Sequence, residues 1–225
     1  MRNAFVVCAV MASLALGCAS SAPASVLEQT QRYDETIALP EPDLDGSATL
    51  EETLVRRRSQ REFAPDELSL DTIGQLLWAA QGITDDEGHR TAPSAGALYP
   101  LELYALTDST LMHYLPAEHR VEQRTDTTTL PQLRAAAFDQ QFVSAAPAVL
   151  LITGVLGRTQ AEYGAVAAEL MNREAGHAAQ NVLLQATALD LAAVPVGGFD
   201  PPALARLLAL PPGEEVLYLL PVGLR

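Results

Sequence analysis

Residues 88–100 have the sequence GHRTAPSAGALYP, and they stand between a predicted helix and a predicted strand. Small residues fill most of the segment between Pro93 and Pro100, and small side chains allow a ligand to lie close against the backbone. The same composition is also typical of a plain tight loop before a strand. Its neighbours therefore decide which fold the segment belongs to.

The residues before this loop have the pattern of a helix. Ser69 is a typical N-cap, Asp71 lies in the first turn, and Gly82 is typical of a residue that closes a helix. Apolar residues recur between them at helical spacing, namely Leu70, Ile73, Leu76, Leu77 and Ala80. The pattern predicts a helix between Ser69 and Gly82, and a shorter helix is predicted over residues 49–57.

Strand patterns follow the loop. Strands are predicted at residues 101–107, around a hairpin turn at 116–118, at 194–198 and at 216–222. Residues 148–153 form a continuous apolar run, which is typical of a central strand with both faces buried.

Helical patterns lie between these strands, over residues 159–191 and 202–208. The longer one has an apolar stripe, which consists of Ala178, Val182, Ala186 and Leu189. Because strands and helices mix without strict alternation, the predicted class is α+β.

The composition limits the classes of function. The chain has 225 residues, 48% of them hydrophobic and 19% charged, as expected for a globular domain. Its formal net charge of -14 disfavours nucleic acid as a partner, because phosphate binding needs clustered cations. The only cysteines, Cys8 and Cys18, precede the predicted domain, which excludes disulfides, cysteine zinc sites and cysteine nucleophiles there.

The first residues have the features of an export signal. Arg2 precedes an apolar run over residues 4–16, which is too short to cross a hydrocarbon core of ~30 Å. Leu14-Ala15-Leu16-Gly17-Cys18 resembles the bacterial lipobox, in which the cysteine is lipidated. The alternative is an ordinary signal that is cleaved after Ala22-Pro23-Ala24.

We therefore expect a signal peptide over residues 1–17, a lipidated Cys18 with a tether over 18–36, and one domain over 37–225. The lipid would be the only membrane contact. The expected location is the cell envelope, on the periplasmic side of a membrane if the source is Gram-negative.

Three further segments could carry chemistry. Arg56–Arg61 could bind an anion, because guanidinium groups match phosphate oxygens, or it could be a solvated basic helix end. His177 and Asn181 share one face of the predicted long helix, where a histidine is more often a packing residue. Gly197-Gly198 could present backbone N–H groups to a ring or form an ordinary turn.

Together these segments resemble the nitroreductase family, in the SagB-type branch of azoline-oxidising peptide dehydrogenases. The likeness extends from about residue 37 to 225. The matching blocks are Arg57-Arg58-Ser59-x-Arg61, residues 77–84, residues 90–100, residues 174–181 and Pro221-Val222-Gly223. The resemblance implies an FMN-binding fold with a central, mostly antiparallel sheet flanked by helices, and a homodimer whose two flavin sites are each built from both chains.

The resemblance also assigns cofactor-binding residues. The phosphate and ribityl positions correspond to Arg57, Arg58, Ser59 and Arg61. The loop that the partner chain places against the flavin corresponds to Pro93, Ser94 and Ala95, and the ring-edge backbone to Gly197 and Gly198. Gln180 and Asn181 are expected near the same site. Leu224 stands where an arginine is usual, and Arg225 is expected to take its role.

The catalytic positions of that branch are a Lys-Tyr pair, which corresponds to Glu162-Tyr163 in this chain. Tyr163 and Glu162 are therefore the candidate catalytic residues, and a buried glutamate can act as a general base. Basic residues expected further along are replaced by Val166 and Glu169, which disfavours azoline oxidation.

The resulting hypothesis is an FMN-dependent oxidoreductase that transfers two electrons as hydride, with NAD(P)H as candidate donor and a small-molecule or peptide-like substrate. The alternative is a flavin-binding homologue without catalysis. An unrelated hydrolase or metal protein is disfavoured, since no Gly-x-Ser-x-Gly elbow and no metal-ligand spacing of histidines is found.

Overall fold

A single antiparallel sheet forms the centre of the computed structural model, which describes residues 33–125 and 128–225. The strands of this part of the chain are β1 (Glu35–Ala38), β2 (Leu101–Leu106), β3 (Thr110–Leu115), β4 (Arg120–Thr125), β5 (Ala148–Val155), β6 (Leu191–Ala193) and β7 (Glu214–Leu224). Their order in the sheet is β1-β4-β3-β2-β5-β7-β6. The antiparallel sheet expected from the resemblance is confirmed.

Helices pack on both faces of this sheet. They are α1 (Leu50–Arg56), α2 (Leu70–Gln81), α3 (Leu130–Ala136), α4 (Gln141–Ala145), α5 (Leu156–Tyr163), α6 (Ala167–Ala188) and α7 (Pro201–Leu207). Short 3₁₀ turns occupy Ala95–Ala97 and Gly164–Val166. The predicted α+β class is confirmed.

The apolar run of β5 faces two separate hydrophobic cores. Leu150 and Ile152 pack with residues of α2 and α6, whereas Val149 and Leu151 pack with residues of α3, α4 and α7. Successive side chains of a strand point to opposite faces, so a strand covered on both sides needs apolar residues throughout. This confirms the prediction of a buried central strand.

The predicted caps of α2 are also confirmed. Ser69 accepts a hydrogen bond from the N–H of Thr72, and Gly82 ends the helix. Gly82 has an extended backbone with φ -64° and ψ 150°, so the left-handed conformation is not the reason for a glycine here. A Cβ atom at Gly82 would lie 2.1 Å from the indole of Trp78, which covers this position.

The single helix predicted over residues 159–191 is wrong. Gly164 has a φ of +53°, and this left-handed residue separates α5 from α6. The apolar stripe is confirmed at Ala178, Val182 and Ala186, but Leu189 lies beyond α6 and is 41% exposed.

Four elements were not predicted as regular structure, namely β1, β6, α3 and α4. β1 pairs with β4 and includes residues 35 and 36, at the end of the predicted tether. The strand predicted at 194–198 is also wrong, because β6 ends at Ala193 and only Val196 forms a bridge, with Leu219. Pro195 lies between them and has no N–H to donate.

The predicted signal peptide, Cys18 and residues 19–32 of the predicted tether lie outside the described residues. Within residues 33–125 and 128–225, no helix has the length and hydropathy needed to cross a bilayer.

Candidate functional site

The predicted arginine segment runs along one edge of the sheet. The N–H of Gln60 donates to the carbonyl of Ala193 at 3.0 Å, and the N–H of Ala64 donates to the carbonyl of Leu224 at 2.9 Å. These bonds hold residues 60–64 against β6 and the end of β7. The segment that follows α1 is therefore placed beside Arg225.

A cavity of about 320 Å³ opens at this edge. It is lined by Gln60, Arg61, Glu62, Ala192 and Arg225. Arg61 and Arg225 are far apart in the sequence, yet both residues line this one cavity. The guanidinium carbon of Arg61 lies 5.3 Å from the centre of the Phe142 ring. Two arginines in one cavity match the oxygens of a phosphate group.

The other residues of the predicted phosphate site lie differently. Arg57 is the C-cap that follows α1, and its N–H donates to the carbonyl of Thr53. The guanidinium of Arg58 donates to the carbonyls of Val55 and Arg57 at 2.8 and 2.7 Å, so it is turned towards its own backbone. Ser59 is exposed. Of the residues predicted to bind a phosphate group, the structure brings Arg61 and Arg225 together in this conformation.

The loop at residues 93–98 forms a second part of the candidate site. Pro93 is exposed, and Ala95 begins a 3₁₀ turn in which Gly96 has a φ of +61°. The Ser94 hydroxyl accepts a hydrogen bond from the N–H of Tyr99 at 2.9 Å. A Cβ atom at Gly96 would lie 2.9 Å from the hydroxyl oxygen of Tyr163, so this hydroxyl packs directly on the loop.

The two candidate catalytic residues differ in their surroundings. Tyr163 is half-buried at the end of α5, where its hydroxyl contacts the loop. Glu162 is exposed on α5. Of the predicted pair, the structure places only the tyrosine hydroxyl against the loop.

The remaining predicted residues flank these two regions. The side-chain amide of Asn181 donates to the carbonyl of Thr91 at 3.1 Å, which attaches the loop to α6, and Gln180 is half-buried beside it. Gly197 and Gly198 are exposed after β6. The carbonyl of Gly198 accepts a hydrogen bond from Gln140 at 2.7 Å, while no described atom lies within 4 Å of a Cβ built at Gly197.

One buried carboxyl beside the loop was missed by the sequence analysis. Glu174 on α6 is 3% exposed, and its Oε1 has no hydrogen-bond partner in the described chain. Burial raises the pKa of Glu174 to about 6, while the hydrogen bond with Ser94 and the charge of Arg90 act in the opposite direction. Glu174 belongs to the matching block 174–181. Its raised pKa follows from its burial, which is visible only in the structure.

Arg90 attaches the loop to a second helix. Its guanidinium donates to Gln81 Oε1 at 3.2 Å and lies 4.2 Å from the ring centre of Tyr99. A guanidinium over an aromatic face is attracted by the ring quadrupole. The loop is thereby attached to the end of α2 as well as to α6.

A further polar cluster that the sequence analysis missed lies on the face of the sheet opposite α2 and α6. His113 Nε2 is 2.9 Å from Glu102 Oε2, and the same glutamate pairs with Arg158. Glu214 accepts a hydrogen bond from Thr153. Within the described chain, no group of three histidine, cysteine or acidic side chains has the arrangement of a metal site.

The pKa values in this cluster reflect its charges. Burial alone would raise the pKa of Glu102, but the hydrogen bond with His113 and the charge of Arg158 lower it below its ordinary value. Burial alone would lower the pKa of His113, but the hydrogen bond with Glu102 raises it. Arg158 also donates to the carbonyl of Tyr99 at 3.0 Å, so the cluster supports the loop from its other end.

Glu174→Gln should change how stability depends on pH. The folded state holds the pKa of Glu174 at about 6, above the ordinary value of 4.5, so the folded chain binds this proton more tightly than the unfolded chain. The stability of the parent protein therefore falls as the pH rises through this range. The variant lacks this titration, and its Tm relative to the parent should increase with pH and level off above about pH 7.

Thermal unfolding followed by fluorescence across this pH range measures the difference. Glu169→Gln, on the exposed side of the same helix, is the matched control for the substitution itself. A Tm difference between Glu174→Gln and the parent that does not change with pH would contradict the raised pKa.

Comparisons with known proteins show which family this chain resembles in sequence and fold. The profile of the nitroreductase family matches residues 54–224. A candidate nitroreductase of Methanocaldococcus jannaschii is 37% identical over 195 residues, which cover 84% of this chain and 97% of that protein. A solved structure of a candidate nitroreductase from Ralstonia eutropha has a TM-score of 0.77 and 32% identity, and the match covers 84% of this chain and 89% of that one. Another, from Anabaena variabilis, has a TM-score of 0.74 and 25% identity, with 84% and 41% covered.

Proposed function

Because the chain belongs to the nitroreductase family, whose members are generally oxidoreductases, we propose that it is an FMN-dependent oxidoreductase. When bound, the flavin supplies two-electron hydride chemistry through its N5 position. The protein contributes the binding and orientation of the cofactor and the substrate. NAD(P)H is the proposed electron donor, and a small-molecule or peptide-like compound is the proposed acceptor.

The observation that carries this proposal is the cavity that Arg61 and Arg225 share. Charge-assisted hydrogen bonds from two guanidinium groups are the interactions that a terminal phosphate needs. Gly197 and Gly198 are exposed without side chains, so a planar ring system could approach their backbone closely. The donor set of one chain therefore fits the phosphate and the ring edge of FMN.

A homodimer would complete this site. The cavity is lined by residues 60–62, Ala192 and Arg225, so the loop with Pro93, Ser94 and Ala95 does not contribute to it within one chain. We propose that a second copy supplies this loop. The exposed apolar side chains of α1 support an interface, since Leu50, Leu54 and Val55 are 60%, 53% and 71% exposed.

The proposed proton-transfer group is the hydroxyl of Tyr163, which lies against Gly96. Glu162 is the second catalytic candidate, at the position where the azoline-oxidising branch has a lysine. The exposure of Glu162 and the presence of Val166 instead of a basic residue favour a general reductase over a SagB-type peptide dehydrogenase.

A flavin-binding homologue without catalysis is the second candidate function. Glu162 is exposed, and Leu224 stands where the family has an arginine, so the catalytic and phosphate positions both depart from the pattern. In either case we propose that the chain is exported and anchored through Cys18. The basis for export is the residue pattern of positions 1–18.

Purified protein that is reconstituted with FMN tests the proposed function. We expect a 1:1 complex with a flavin absorbance band that NADH or NADPH bleaches under anaerobic conditions. Retained flavin that neither nicotinamide reduces would favour the non-catalytic candidate. Failure to bind FMN at any concentration tested would contradict both.

A further inference from the structure

The register of the last two strands places Asp190 beside Arg225. β6 and β7 are antiparallel, with Leu191 opposite Leu224 and Ala192 opposite Gly223. The residue before Leu191 therefore lies opposite the residue after Leu224. This position allows their side chains to meet, and the Nη1 atom of Arg225 is 2.6 Å from Asp190 Oδ1.

The same carboxylate oxygen also binds a second arginine. Arg56, the last residue of α1, places its Nη2 atom 2.8 Å from Asp190 Oδ1. Asp190 has a left-handed backbone with a φ of +59°, a conformation that aspartate and asparagine adopt more readily than most residues. The turn between α6 and β6 thus presents one carboxylate to two guanidinium groups.

This arrangement leaves part of Arg225 available. Asp190 engages the Nη1 atom of Arg225, and Arg225 also lines the cavity that contains Arg61. A guanidinium has five N–H donors in a planar fork, so one edge can be held while the other binds a ligand. Arginine side chains lose conformational freedom when they bind, and a carboxylate that already orients the group reduces this cost.

We propose that Asp190 is a positioning residue, which orients Arg225 towards the phosphate group of the ligand in this cavity. The inference rests on the proposed function, because it concerns the same FMN site. In this proposal Asp190 affects the ligand through Arg225, which contacts the phosphate. It therefore contributes to the binding of FMN, and it contributes nothing to riboflavin, which lacks the phosphate.

Asp190→Asn tests this role with little disturbance of the backbone, since asparagine tolerates the same left-handed conformation. The ion pair is largely exposed, with the Asp190 side chain 68% and the Arg225 side chain 34% accessible. Exposed pairs contribute modestly, so we expect FMN affinity to fall about threefold to fivefold. Riboflavin affinity and the Tm should remain unchanged. Fluorescence quenching titrations with each flavin measure the ratio of the two dissociation constants.

Two comparisons separate positioning from other effects. In an Arg225→Gln background, Asp190→Asn should change the ratio no further, because the residue acts through that arginine. Glu169→Gln removes one negative charge from another exposed arginine pair and controls for the change in net charge.

Each outcome decides between the proposals. An unchanged ratio in Asp190→Asn, or a tighter FMN complex, would overturn the positioning role, and the latter would show that Asp190 competes with the phosphate. In both cases FMN binding by the parent protein would still support the proposed function. A parent protein that binds neither flavin would overturn both proposals.

Discussion

Arg61→Gln combined with Arg225→Gln is expected to weaken FMN binding by about 100-fold or more. Each guanidinium would lose a charge-assisted hydrogen bond to the phosphate, and such bonds contribute about 1.5–3 kcal/mol each. Riboflavin binding should change by less than about twofold. Riboflavin lacks the phosphate that accepts these hydrogen bonds, so removal of the two guanidinium groups takes no such bond from it. Isothermal titration calorimetry with both flavins measures the two affinities.

The matched control is Arg173→Gln combined with Arg206→Gln. It removes the same charge from two exposed arginines that do not line the cavity. If the control weakens FMN binding as much as the test variant, the effect is one of net charge and the assignment of the phosphate site is wrong. Equal losses for FMN and riboflavin would likewise place these arginines away from the phosphate.

Gly223→Ala is expected to destabilise the fold strongly. A Cβ atom at this position would lie 2.6 Å from Cδ of Pro147 and 3.1 Å from Cβ of Phe63. The proline ring is rigid and Gly223 is held by its pairing with Ala192, so neither side can move easily. Overpacking of this kind costs about 1–3 kcal/mol, which lowers the Tm of a domain of this size by roughly 2–12 °C.

Gly157→Ala is the control for this substitution. No described atom lies within 4 Å of a Cβ at Gly157, and the residue lies in α5, where alanine favours the helix. Its Tm, from differential scanning calorimetry, should equal or exceed that of the parent. An unchanged Tm for Gly223→Ala would mean that residues 63 and 147 can move away from β7.

Local patterns predicted those parts of the fold that depend on neighbouring residues. The caps at Ser69 and Gly82 and the apolar run of β5 were recognised because each has a short-range cause. The break at Gly164 was missed because a glycine within a helical pattern can either remain inside the helix or end it. The φ of +53° that ends the helix here is visible only in the structure. Helices α3 and α4 were missed because their apolar residues show no clear helical periodicity.

The candidate site depends on contacts that no local pattern contains. Arg61 and Arg225 were assigned through the resemblance, and their shared cavity follows from backbone bonds between residues 60–64 and the last strands. Asp190 was not recognised, because its contact with Arg225 is a consequence of strand register. Glu174 lies in one of the matching blocks, but its burial against the loop depends on how α6 packs.

The loop at residues 90–100 is attached to three different helices. Arg90 binds Gln81 of α2, Thr91 binds Asn181 of α6, and Tyr99 binds Arg158 of α5. A segment held in this way has lost most of its backbone freedom before any partner arrives. In the proposed dimer, association would therefore cost little additional conformational entropy, and the interface could form as a rigid-body contact between preformed surfaces.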